Sequence, residues 1–441
     1  MLNAFTSEPF WEASNGFKAE KLYFESVNHP GGDNDFRPEV IIILPPEYFQ
    51  NIDMRFPVIY RLHGQLSFPK EDCGEGGPWH TDLAYLSNKL NRPFILVAPD
   101  GDMNDRGNSF YRGSDGYSFE KYFSEELIDS IDANFRTIPR RTARVVSGYS
   151  MGGYGSIHLA QTFPDLLGVS LTYAALTMNM HYVRARNFFS VPLLMNEFQG
   201  AMLYSSNVKF DTVLTNRSVP HHSFFPEGGI SGGHTSCIPG CGTPREQSLV
   251  FIDTMLDKIR NTPFSWQHTR LKPYDHPSNT PDTIFIFGNR FIVSQSRYEK
   301  KSDTEANLEH FASLRIYSFE KERIHTGLLE RKDLNDYDMK WDDSLSYETV
   351  DILTAPYYSA GSEFTIVDSN ITSGISKSYN ITADEEKRLE FSLNGEEHII
   401  SISGEFVNPE VSPLSPGPLT LIKNCSKAVT FSWNTDIREA S

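Results

Sequence analysis

An α/β fold built on a mainly parallel sheet, followed by a mostly β, sandwich-like accessory domain, is what this 441-residue sequence predicts. Three observations carry the expectation. Short runs of β-branched residues alternate with stretches of helical periodicity up to about Arg260, and such alternation puts helices on both faces of parallel strands. Within the eighteen residues Ala143–Ala160, a strand pattern, a glycine-flanked serine and an amphipathic helix follow one another. After Pro263 the pattern changes to short β runs separated by charged or Gly/Ser/Asn turns. A chain this long exceeds what one hydrophobic core holds, so two domains are expected, 1–262 and 263–441.

In chain order, residues 19–27 and 38–44 read as an antiparallel pair joined by the turn-rich Asn28-His-Pro-Gly-Gly-Asp-Asn. Pro57–Gly64 is a short apolar strand ending in His63-Gly64, a helix runs from Trp79 to Leu90, and Pro93–Pro99 is a buried strand by length and content. Apolar residues recur at helical spacing from Phe119 to Phe135, and Arg144–Ser147 is the strand before the serine turn. Beyond it, strands are expected at Leu167–Ala174, Val191–Met195 and His221–Pro226, with helices at Ser205–Thr215 and Gln247–Arg260. Met178–Phe189 reads as a lid or helical insertion. The β runs of the second domain are Thr283–Ser294, Leu314–Ser318, Thr349–Leu353, Glu363–Val367, Arg388–Leu393, His398–Ile402, Pro418–Ile422 and Ala428–Trp433. Asn408–Pro418 is a stiff, Pro-rich connector among them.

Composition narrows the partners. A net charge of −17 argues against nucleic acid or anionic lipid, both of which such a field repels. No run of eighteen apolar residues offers membrane insertion, and the first residues carry neither a basic nor an apolar leader segment, so a cytoplasmic location is expected. The four cysteines are too few and too scattered for a disulfide framework, and Cys237 with Cys241 lacks a second Cys/His pair at zinc spacing. Asp100-Gly-Asp-Met-Asn-Asp starts like a calcium loop, but Asp105 and Tyr111 stand where Gly and Glu are required, so a loop on the substrate side is the better reading. No metal or organic cofactor is expected, and composition leaves the oligomeric state open.

Gly148 and Gly152 flank Ser150 as G-x-S-x-G between a strand and a helix, the arrangement of a nucleophile elbow. There the serine stands at a helix N-terminus, where the Met151 N–H and the helix dipole favour a developing oxyanion. A serine hydroxyl is a poor nucleophile at neutral pH and needs a base, oriented in turn by an acid. His234, in a loop with glycines at 228, 229, 232 and 233 after the last expected strand, fits the base. Four carboxylates lie between them: Asp165, Glu197, Asp211 and Glu227. Glu197, just past the Val191–Met195 strand, occupies the place of the acid; Asp211 or a backbone carbonyl stays open as the alternative. The second oxyanion donor is expected from the Gln65 N–H, after His63-Gly64, and Trp79 offers an apolar surface near the pocket.

Together His63-Gly64, Val97-Ala-Pro-Asp-Gly101, Glu125–Phe135 and Gly148-Tyr-Ser-Met-Gly-Gly-Tyr-Gly155 resemble the esterase D-like branch of the α/β-hydrolases, over residues 19–260. That branch includes feruloyl esterases, S-formylglutathione hydrolases and mycolyltransferases. The resemblance implies an α/β-hydrolase fold and a serine hydrolase or acyltransferase with Ser150 as nucleophile, His234 as base, and Met151 with Gln65 as oxyanion donors. The chain departs from the branch in two places. Asn196-Glu-Phe-Gln-Gly200 stands where members carry G-x-x-D, and Thr235-Ser-Cys-Ile-Pro-Gly-Cys241 follows His234 where members often carry Asp and an aromatic residue. The expectation is cleavage of a small-molecule or acyl-ester substrate through an acyl-enzyme at Ser150. Acyl transfer or peptide cleavage would use the same site, and a non-catalytic, hydrolase-like binding module is the reading from another class.

Overall fold

The computed structural model describes residues 5–30, 37–102, 110–112, 117–177, 181, 184–216, 218–227, 245–261, 266–271, 282–286, 289–293, 311–316, 322–329, 341–342, 347–354, 356, 358–370, 373–395, 398–404, 419–421 and 431–433. They fall into two compact units. The first comprises the described residues up to His181 and from Val191 to Arg260; the second comprises residues 184–190 and the described residues beyond Arg260.

The first unit is organised on a nine-stranded sheet. Its strands are β1 (Phe5–Glu12), β2 (Lys18–Phe24), β3 (Glu39–Leu44), β4 (Val58–Leu62), β5 (Ile95–Pro99), β6 (Arg144–Tyr149), β7 (Val169–Tyr173), β8 (Leu193–Asn196) and β9 (His221–Phe224), in the order β1-β2-β3-β5-β4-β6-β7-β8-β9. From β5 to β9 every pairing is parallel, whereas β1, β2 and β3 run antiparallel to their neighbours. In β4 and β5 every residue is buried, as strands covered by helices on both faces must be.

Successive side chains point to opposite faces, so alternate residues fill different cores. Ile41, Ile43, Ile59, Leu96, Val145 and Leu171 pack with the helices Pro78–Leu90 and Arg245–Asn261. Those helices contribute Trp79, Leu83 and Leu86, and Leu249, Ile252 and Leu256, each set on one helical stripe. Each fully buried Leu or Ile contributes about 1.5–3 kcal/mol. Trp79 is 1% exposed and carries the buried Arg61 guanidinium 4.0 Å from its ring centroid, so it belongs to this core rather than offering an open surface. On the other face Tyr60 meets Phe123 edge-on at 5.2 Å. Phe123 lies in the helical stretch Phe119–Asn134, which carries a π turn at Tyr122–Leu127. The buried Asp132 carboxylate of that stretch pairs with Arg144 at the start of β6 and accepts from Thr137 at 2.5 Å.

The second unit is mostly β. Its strands are β10 (Trp266–Leu271), β11 (Asp282–Ile286), β12 (Asn289–Val293), β13 (Phe311–Ile316), β14 (Glu322–Leu329), β15 (Trp341–Asp342), β16 (Tyr347–Leu353), β17 (Glu363–Asn370), β18 (Ile375–Thr382), β19 (Glu390–Gly395), β20 (His398–Ser403), β21 (Leu419–Leu421) and β22 (Phe431–Trp433). One antiparallel sheet runs β10-β13-β14-β20-β17-β18 with β15 beside β14, a second runs β11-β12-β16-β19, and β21 pairs with β22. Asn394 of β19 contacts His398 of β20 at 2.5 Å and Asn370 of β17 at 3.5 Å, tying the two larger sheets together. From the stretch expected as a lid or insertion, Ala185–Ser190 forms a 3-10 helix that groups with this second unit. The Pro-rich connector lies outside the described residues.

Candidate active site

The serine turn is built by backbone packed on backbone. β6 ends at Tyr149, Ser150 takes φ 55° and ψ −115°, and the elbow helix Met151–Thr162 begins at once. A serine in this region is strained by about 1–3 kcal/mol and persists only where its surroundings impose it. The Ser150 N–H donates to the Tyr173 carbonyl at 2.9 Å, and the Ser150 carbonyl accepts from the Tyr154 N–H at 3.0 Å. A Cβ on Gly148 would lie 1.9 Å from the Gly152 carbonyl oxygen, and one on Gly152 would lie 2.1 Å from that of Leu62. Gly153, which the motif does not require, is hemmed in less severely: a Cβ there would come within 2.9 Å of Ala175. These glycines let the elbow helix lie directly against β4, β6 and the end of β7.

The loop after β4 meets the elbow through Tyr149, whose ring would stand 3.1 Å from a Cβ on Gly64. His63 locks the loop to the end of β5. Its Nε2 accepts from the Gly101 N–H at 2.8 Å, so its Nδ1 carries the proton and donates to the Gly64 carbonyl at 2.8 Å. The wholly buried Tyr111 donates from its hydroxyl to the His63 carbonyl at 2.9 Å, and its ring occupies the space that a Cβ on Gly101 or Gly155 would enter at 2.4 Å. Beneath the loop, His29 lies 3.0 Å from the Asp100 carbonyl, and burial pushes its pKa down to about 4, with Asp100 opposing the shift. Gln65 is exposed at the tip, and Met151 is buried as the first residue of the helix.

Glu197 follows β8 and is 2% exposed. Its Oε1 accepts from the Phe198 N–H at 3.0 Å, and its Oε2 lies 3.4 Å from the Asn207 amide nitrogen. Asn207, on the helix Tyr204–Asn216, donates also to the Ala175 carbonyl at 2.9 Å, so it bridges Glu197 to the segment after β7. Asp211, one turn further along that helix, is 3.0 Å from His221 Nε2 at the start of β9. Asp165 precedes β7 and so sits at the end of the sheet opposite Ser150, and Glu227 is exposed beyond β9. His234 lies outside the described residues, as do Cys237 and Cys241. The segment leading to His234 leaves β9 beside Glu197: the Glu197 N–H donates to the Phe224 carbonyl and the Gln199 N–H to the Pro226 carbonyl, both at 3.1 Å.

Tyr149, which precedes Ser150, packs with Ala174, Phe198 and Ala201 in a small apolar cluster. Asp100 and Asp102 are buried at the end of β5, the Asp102 N–H donating to Asp100 Oδ1 at 2.9 Å, and the described residues hold no cluster of three or more groups suited to a metal ion. No helix among them is long and apolar enough to cross a membrane. Tyr111 and Asn207 escape the sequence reading. For Asn207 a signal exists, since it shares a helical stripe with the buried Phe210 and Leu214; for Tyr111 none does, because its partner His63 is 48 positions away.

A mainly parallel sheet with a strained serine between strand and helix is the architecture of the α/β-hydrolase fold. Residues 35–182 match the family model described as a putative esterase. An esterase of Mycobacterium tuberculosis is 29% identical over 137 residues, which cover 29% of this chain and 27% of that protein. A protein named endo-1,4-beta-xylanase/feruloyl esterase, from Xylanibacter ruminicola, is 34% identical over 122 residues, 26% of this chain and 16% of its own. The chain thus spans about a quarter or less of the length of these curated relatives. Among solved structures, a ferulic acid esterase aligns with a TM-score of 0.46 at 18% identity, over 56% of this chain and 99% of its own. An S-formylglutathione hydrolase from Agrobacterium tumefaciens aligns with a TM-score of 0.43 at 14% identity, over 56% and 96%.

Proposed function

We propose that the first unit is a serine hydrolase that cleaves a carboxylic ester through an acyl-enzyme at Ser150. The observation that carries the reading is the backbone of Ser150, held at φ 55° and ψ −115° at the head of a helix by glycines that tolerate no side chain. Such strain persists where function needs a hydroxyl presented above the sheet.

In this reading His234 takes the Ser150 proton as the oxygen attacks the ester carbonyl carbon. The carbonyl oxygen becomes an oxyanion facing the N–H groups of Met151 and Gln65, and His234 returns the proton to the departing alcohol. Water then attacks the acyl-enzyme by the same steps in reverse order, releasing the acid and restoring Ser150. Glu197 orients the imidazole. It is the buried carboxylate after β8, and the chain that carries His234 departs from β9 hydrogen-bonded to its neighbourhood. The apolar cluster that includes Tyr149, the residue before Ser150, would receive an apolar part of the substrate. Hydrolysis of p-nitrophenyl acetate and butyrate tests the proposal: turnover by the parent that disappears in Ser150→Ala and His234→Ala supports it, and turnover that survives Ser150→Ala refutes it.

A further inference from the structure

The second unit carries a cleft of its own, none of whose lining residues has a role in the proposed ester cleavage. It lies between β18 and β19, each of which ends its sheet among the described strands, and its volume is about 580 Å³. Small-molecule sites span roughly 300–1,000 Å³. One end is polar and tightly organised. His398, 3% exposed, places Nδ1 2.5 Å from Asp368 Oδ1 and Nε2 2.5 Å from Asn394 Oδ1. Asn370 donates to Asn394 at 3.5 Å and accepts from the Ser373 N–H at 2.8 Å. A buried imidazole held between oxygens from two other strands fixes the carboxylate and amides around it, so they line the cleft as an ordered set of donors and acceptors.

The rest of the lining is of another kind. Tyr379 and Phe391 supply aromatic surface. Burial, followed by the nearby Asp368 charge, pushes the Tyr379 hydroxyl up from its ordinary pKa, which keeps it a donor. Asp368 and Glu390 disfavour an anion, while Lys377 at the mouth offsets part of their charge. The matching ligand is neutral, has apolar faces and is edged with groups that both donate and accept. A sugar ring has that character: its C–H faces suit aromatic surface, and its hydroxyls suit carboxylates and amides.

We propose that this cleft binds a neutral saccharide, with ring faces toward Tyr379 and Phe391 and hydroxyls toward Asp368, Asn370 and Asn394. The test uses the full chain as Ser150→Ala, so that binding is read apart from turnover, titrated calorimetrically with xylotetraose, cellotetraose, mannotetraose and maltotetraose. One of the four binds at one site per chain, and Asp368→Ala and Tyr379→Ala each weaken it by about tenfold or more, the loss expected for one charged or buried contact. Should those changes also disturb folding, Lys377→Trp at the exposed mouth places a new ring beside the bound sugar and changes its affinity, in either direction, with the melting temperature unchanged. Absence of binding across the panel, or binding indifferent to all three changes, overturns the proposal while leaving the esterase reading untouched.

Discussion

The Tyr111 hydroxyl donates to the His63 carbonyl at 2.9 Å, while its ring fills the space left by two glycines, Gly101 and Gly155, that come from different elements. One buried aromatic thus sets the spacing between the end of β5, the elbow helix and the loop that carries Gln65. Tyr111→Phe keeps the ring and removes the bond. Stability should fall by about 1 kcal/mol, and kcat on p-nitrophenyl butyrate should fall about three- to tenfold with KM little changed, because a loosened loop affects the oxyanion more than ground-state binding. Steady-state kinetics beside a urea melt check both.

The elbow glycines make a sharper prediction. Gly152→Ala drives a methyl to 2.1 Å from the Leu62 carbonyl, where only backbone can yield, whereas a Cβ on Gly74 meets nothing within 4 Å. Gly152→Ala should cost about 3 kcal/mol or more, and Gly74→Ala should stay within about 0.5 kcal/mol of the parent. Equal urea midpoints for the two variants would show that the elbow is not packed as described.

Two carboxylates compete for the role of orienting acid, and their surroundings separate them. Glu197 is buried at the end of β8, whereas Asp211 faces His221. Glu197→Gln should lower kcat by about 10²- to 10⁴-fold, the range for a triad acid made neutral, and Asp211→Asn should leave kcat within about threefold of the parent. The reverse outcome assigns the acid to Asp211.

Folding is also tied to pH through His29. An unfolded histidine takes up a proton as pH falls through 6.5, whereas buried His29 does so only near pH 4. Between those values the unfolded chain binds more protons, so His29 makes stability fall as pH drops from 6.5 toward 4. The loss reaches about 2 kcal/mol at pH 5. Urea melts at pH 7 and pH 5 should show this loss in the parent and a smaller one in His29→Gln, and parallel losses would place the titrating group elsewhere.

The parallel sheet was legible because strands such as Val58–Leu62 and Ile95–Pro99 are buried on both faces and read as unbroken apolar runs. The edges were not. β1 carries Pro9 at a register shift and mostly exposed or half-buried side chains, and β18 begins with four exposed residues, so neither leaves an apolar alternation. The elbow announced itself through the close approach that only glycine allows at 148 and 152. What surrounds it did not, because Tyr111 and Asn207 act through backbone carbonyls distant in sequence, a relation no local pattern encodes. Glu197 is proposed as the acid from its place after a strand, and the structure adds its burial, although its neighbours depart from the phrase that marks the acid in the branch the chain resembles.

An activated nucleophile at Ser150 should react with a fluorophosphonate probe, and peptide mass mapping locates the adduct. A single adduct on the peptide containing Ser150, absent in Ser150→Ala and strongly slowed in His234→Ala, is the result expected. A folded parent protein that takes no label, or one labelled as fast without His234, would contradict it.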